Sequence, residues 1–176
     1  MNFNNLNTKE RDLSNVQTQT YPEIPQGWNK IALTEVGPKT EEKSGAAHGA
    51  LFTFKIVEGT GSGLTFKKWY GVQAIKTEAK WRQTQFENTM IRIAQCVNVD
   101  VLNNVAQLIN KPFYAFLSVT EREYESKETD REGNFLKKKT TDVEFAKGLL
   151  TENLLSCEEY AKREEADAAL ALDNPF

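Results

Sequence analysis

The chain has 176 residues, 39% of them hydrophobic and 27% charged, with a formal charge of −3, enough for one core and a tail but not for two full domains. No apolar run approaches the roughly 18–20 residues of a membrane span, and the polar start lacks a signal-peptide core. A single histidine, His48, excludes most histidine-based catalysis and most zinc sites, and two cysteines, Cys96 and Cys157, suit a reduced cytoplasmic protein better than a disulfide scaffold.

Residues 1–24 are rich in Asn, Gln and Thr without a sustained period, which predicts a flexible arm. The segment YPEIPQG at 21–27 reads as a lead-in loop to a domain over 25–150. Trp28–Val36 alternates and stops at Gly37-Pro38, the first predicted strand. Lys39–Gly49 is a polar, Gly/Ala-rich loop. Leu51–Glu58 (LFTFKIVE) is β-branched and aromatic, a second strand. GTGSG at 59–63 makes a turn into the third strand, Leu64–Val72; it lacks the Lys-Ser/Thr end of a phosphate-binding loop and lies between strands rather than before a helix.

The period then becomes helical from Thr77 to Val97, with Trp81, Phe86, Met90, Ile93, Ala94 and Val97 as its apolar face and Cys96 on the core side. Phe113–Thr120 is a fourth strand and Thr140–Ala146 a fifth, with a long charged hairpin tip between them over Arg122–Lys139. Residues 151–176 form an acidic helical tail. Ser156 and Glu159 fit a capping box that opens its helix, near Cys157. Three strands, a helix and two strands match a mainly β fold (α+β by content): a five-stranded Greek-key barrel of the oligonucleotide/oligosaccharide-binding (OB) type, with its helix between strands three and four.

The formal charge hides an asymmetry. Residues 28–150 hold 18 Lys/Arg against 15 Asp/Glu, a net of +3, whereas residues 151–176 hold two against seven, a net of −5. A basic body with an acidic end leaves a polyanionic ligand open to the body.

The runs GWNKIALTEV, LFTFKIVEGTGSGLTFKKWY, IAQCVNVD and NKPFYAFLSVTEREY, spread over roughly residues 25–148, resemble a phage-encoded family of single-stranded DNA-binding proteins with an OB-fold. The final Asp173-Asn174-Pro175-Phe176 resembles the acidic Pro-Phe tip of bacterial and phage single-stranded DNA-binding proteins, although only Asp173 lies immediately before it. The resemblance implies a protein of the host cytoplasm that coats single strands in DNA replication, recombination and repair. It further implies that the tip (Asp173, Asn174, Pro175 and Phe176) recruits partner proteins. A homo-oligomer is compatible with it, and it implies no membrane association.

Binding a strand without reading its sequence needs cations for phosphates and aromatic faces for unstacked bases. Alternation sets Lys55 opposite Phe54 and Ile56, and sets Lys67 and Trp69 opposite Phe66 and Tyr70, so an outward Trp stands beside two lysines. Lys68 and Tyr70 interrupt the pattern, and a bulge between them would exchange their faces. In the fourth strand Tyr114 and Phe116 point outward, which suits a base or the helix. Tyr124, Phe135, Lys137, Lys138 and Lys139, with Arg122, are placed to close over the strand from the hairpin tip. No catalytic residue, metal or cofactor is predicted. The alternative reading is an OB-fold accessory factor of replication or recombination that binds proteins and has little affinity for DNA.

Overall fold

Phe52, Phe54 and Ile56 alternate with Thr53, Lys55 and Val57, and this period of two gives the second predicted strand one dry face and one wet face. In the computed structural model the first three are buried, while Lys55 and Val57 are exposed. The structure describes residues 23–129 and 135–173, with side chains except at 124–139 and 172–173; the arm up to residue 22 lies outside it.

The dry face belongs to β3 (Ala47–Glu58), which pairs antiparallel with β1 (Gly27–Val36), β2 (Thr40–Glu41) and β4 (Thr65–Ala74). On its other edge β1 pairs with β5 (Pro112–Thr129), and β5 pairs in turn with β6 (Phe135–Phe145) and the short β7 (Leu154–Leu155). The protein is thus mainly β, an open antiparallel sheet of seven strands in the order β2–β3–β1–β5–β6, with β4 beside β3 and β7 beside β5. No ladder joins β4 to β6 among the described residues. The sheet nevertheless curls, bringing Phe54 of β3 against Phe145 of β6 at a centroid distance of 5.4 Å. Ile31, Leu33, Phe113, Ala115 and Leu117 complete the sheet's contribution to the core.

Helix α1 (Lys80–Cys96) closes that core with Met90, Ile93, Ala94 and Cys96. Phe86 joins them, 5.6 Å from the Phe52 ring and 5.9 Å from Tyr70. Asn98 (φ +55°) ends the helix in the left-handed conformation, where Asn is tolerated. Its N–H donates to the Gln95 carbonyl, and that of Val99 to Ala94, so two terminal carbonyls are satisfied. The short α2 (Leu150–Asn153) leads into β7, and α3 (Cys157–Asp173) follows. The predicted capping box is present: Glu159 N–H donates to Ser156 Oγ and Ser156 N–H to the Glu159 carboxylate.

Several expectations need correction, among them the loop at 39–49, which holds β2 and the start of β3. Trp81 is not on the inner face of α1; it is 61% exposed. Its spacing of five residues from Phe86 turns it about 140° around a helix of 3.6 residues per turn. The β3–β4 ladder runs unbroken from Tyr70 to Thr65, and its irregularity falls instead between His48 and Gly49, opposite Val72. Lys68 therefore shares the inward face with Phe66 and Tyr70. Finally, Arg122–Lys139 is mostly paired strand rather than a loop, with Glu123 opposite Lys139 and Glu125 opposite Lys137. Opposite charges at facing positions support such a ribbon, whereas its lack of alternating apolar residues conceals it in the sequence.

Candidate nucleic-acid interface

Regular pairing of β3 with β4 puts Leu51 opposite Trp69, Thr53 opposite Lys67 and Lys55 opposite Thr65 on the outer face of the sheet. Lys55 and Lys67 are exposed, and neither has an ion-pair partner among the described residues. Leu51 is 44% exposed beside the half-buried Trp69. The indole lies over Gly49, whose missing side chain leaves room for the ring. A Cβ at Gly49 would overlap the Trp69 ring and stand 2.6 Å from the Tyr70 carbonyl oxygen.

Beyond this face the free edges of β4 and β6 border a cleft of about 780 Å³, lined among others by Lys67, Lys68, Trp69, Arg122 and Thr141. Four of the residues singled out from the sequence are thereby brought together, but two of these cations are already engaged. Lys68 lies 3.8 Å from Glu144, with its side chain 18% exposed. It also sits over the rings of Tyr70 (5.6 Å) and Phe145 (5.8 Å). Burial lowers its pKa, and the Glu144 carboxylate opposes that shift. Arg122 is paired with Asp142.

No protein-family model and no curated protein matches the chain. The functional reading therefore rests on its residues and their geometry. No helix is long and apolar enough to cross a membrane, and no group of three or more His, Cys, Asp or Glu side chains is placed to hold a metal ion, both among the described residues. The Cys96 thiol is buried on the helix core side, which pushes its pKa up to about 11.

Tyr70 requires a correction: it is 5% exposed and packs edge-on against Phe52 at 5.1 Å, so it belongs to the core. Tyr114 and Phe116 do point outward, yet α3 and β1 cover them. Tyr160 of α3 stacks parallel on Tyr114, with centroids 3.7 Å apart and planes at 6°. Trp28 of β1 meets Phe116 edge-on at 5.5 Å and Tyr160 at 5.5 Å. Arg163 lies over the Trp28 ring at 5.0 Å, and Arg92 of α1 pairs with Glu159 at 3.0 Å. The ring face that the sequence offers to a base is thus occupied by the chain's own helix. Nothing in the spacing of Tyr114 and Tyr160 announces their pairing. The side chains of Tyr124, Phe135, Lys137, Lys138, Lys139 and Asp173, and all of Asn174, Pro175 and Phe176, lie outside the described residues.

Proposed function

We propose that this protein binds single-stranded DNA without reading its sequence, on the outer face of β3 and β4. The observation that carries this reading is the placement of the exposed Lys55 and Lys67 and the half-buried Trp69 on one sheet face, with no ion-pair partner for either lysine among the described residues. The strand order β4–β3–β1–β5–β6, with the two outer strands curled toward each other, supports an OB-type barrel. In such barrels the face of the second and third barrel strands, here β3 and β4, takes oligonucleotides. On this reading the acidic Pro-Phe tip recruits replication and recombination proteins, and the protein works in the cytoplasm of a phage-infected cell.

Titration with fluorescein-labelled oligothymidylate tests it. Binding should weaken with salt, and neutralising two or three phosphates gives a log–log slope of about −1.4 to −2.1. Replacing Trp69 with Ala should cost about 1–3 kcal/mol. Absence of binding at low salt, or duplex binding as tight as single-strand binding, refutes the proposal.

One observation favours a second reading, a protein-binding accessory factor: Lys68 and Arg122 in the cleft are already paired with Glu144 and Asp142. Retention of protein partners without any affinity for single strands would select it.

A further inference from the structure

Trp81 is a large apolar side chain left 61% exposed at the start of a helix whose inner face is otherwise well packed. It is not isolated. A Cβ placed on Gly71 of β4 would lie 3.1 Å from the Arg82 Cβ and 3.5 Å from the Trp69 ring, so the Trp69 indole and the Arg82 stem lie side by side over that glycine. The Arg82 guanidinium in turn lies over the Trp81 ring, 5.4 Å from its centroid. Glu42 fixes it there, with both carboxylate oxygens 2.6 Å from Nη1. Trp69, Arg82 and Trp81 thus form one continuous ridge from the sheet face to the first turn of α1.

Cations outnumber acids in the stretch that carries this ridge, although Glu42 pairs with Arg82 and Glu144 with Lys68 from outside it. Residues 67–82 hold Lys67, Lys68, Lys76, Lys80 and Arg82 against the single acid Glu78, a local net of +4 in a chain of net −3. Lys76 and Lys80 are exposed and have no ion-pair partner among the described residues. Exposed aromatic rings interleaved with cations are what a single strand needs, a face for each base and a charge for each phosphate.

We propose that the single-stranded DNA path does not end at Trp69 but crosses Gly71 onto α1, where Trp81 is a second base-stacking site and Lys76 and Lys80 contact phosphates. This rests on the β3–β4 reading above and extends it to a surface outside the sheet. Arg82, held by Glu42, keeps the two rings in one line.

The test compares the full chain with its Trp69→Ala, Trp81→Ala and Trp81→Phe variants, using fluorescein-labelled oligothymidylates of about 4 to about 16 nucleotides, the range of site sizes for one such domain. Thermal melting checks that each variant folds. Trp81→Ala should weaken the longer oligonucleotides roughly 5- to 150-fold, leave the shortest almost unaffected, and be partly rescued by Phe. Wild-type binding of Trp81→Ala at every length, with Trp69→Ala impaired, overturns this inference and leaves the β3–β4 reading intact. An equal loss at all lengths, or a change of oligomeric state in light scattering, overturns it by giving Trp81 a structural or assembly role. Failure of the unmodified chain to bind any length removes both.

Discussion

Tyr160 is expected to hold α3 on the sheet, and its replacement by Ala should release the helix without unfolding the domain. Its ring makes two aromatic contacts, a parallel stack on Tyr114 at 3.7 Å and a tilted contact with Trp28 at 5.5 Å. Such pairs contribute about 0.5–1.5 kcal/mol each beyond the area they bury, so Tyr160→Ala should cost about 1–3 kcal/mol of docking. What remains includes Arg163 over Trp28, about 0.5–1 kcal/mol, the Arg92–Glu159 pair, about 0.2–1 kcal/mol because Glu159 is half exposed, and the Cys157 thiol on the Pro112 carbonyl. The Ser156 cap stabilises the helix itself rather than its docking. Losing 1–3 kcal/mol of local stability should speed amide exchange of residues 157–173 roughly 5- to 150-fold. Amides of Phe113–Leu117 in the core strand should exchange as before. Hydrogen exchange read by mass spectrometry separates the two segments, and Tyr160→Phe, which keeps the ring, should behave like the unmodified chain. Unchanged protection of α3 in Tyr160→Ala would refute the reasoning, as would equal loss of protection in β5.

Two further substitutions probe the inward face of β4. The Tyr70 hydroxyl is buried with no hydrogen-bond partner among the described residues, so Tyr70→Phe should raise stability by about 1 kcal/mol, a shift of roughly 2–4 °C in Tm. Single-strand affinity should stay unchanged; a fall in Tm would mean that the hydroxyl is satisfied after all. Burial lowers the pKa of Lys68 below its ordinary 10.5, so between the two values the unfolded chain binds more protons and stability rises with pH. Below the folded-state pKa the cost of burying the charge is present in full. Lys68→Met should therefore melt higher than the unmodified chain at neutral pH, and the difference should narrow as the pH approaches 10.5. A Lys68→Met variant less stable at neutral pH would show that Glu144 and the two rings outweigh desolvation.

Much of the sheet was legible because burial writes a period into the sequence. Phe52, Phe54 and Ile56, and again Phe113, Ala115 and Leu117, alternate as a half-buried strand must, and the structure buries all six. The paired stretches 122–129 and 135–139 were illegible for the same reason: their sequence carries no apolar alternation, only charges that prove to face one another once the register is known. Tyr114 and Phe116 show a different limit. Their outward direction follows from alternation, but what meets them is decided by Tyr160, some 46 residues later in the chain. Composition cannot distinguish a base from a helix as the partner of an exposed ring.

Charge and geometry converge most closely at α1. A net of −3 argues against a polyanion until the chain is divided, and dividing it into body and tail still spreads the basic excess over more than a hundred residues. A finer division narrows it to residues 67–82, which hold five cations and one acid, with Lys68 and Arg82 paired to Glu144 and Glu42 from outside the stretch. The remainder of the body, 28–66 with 83–150, is then net −1, since the whole of it is +3. The basic character of the domain is therefore a property of one strand, the turn that follows it and the first turn of one helix. Those two elements meet over Gly71, where Trp69, Arg82 and Trp81 lie in line. Trp81 is misplaced when its five-residue step to Phe86 is accepted as helical, because at 3.6 residues per turn that step sets it about 140° from Phe86. The cations on either side of it, at 80 and 82, are the feature that argues for the opposite face.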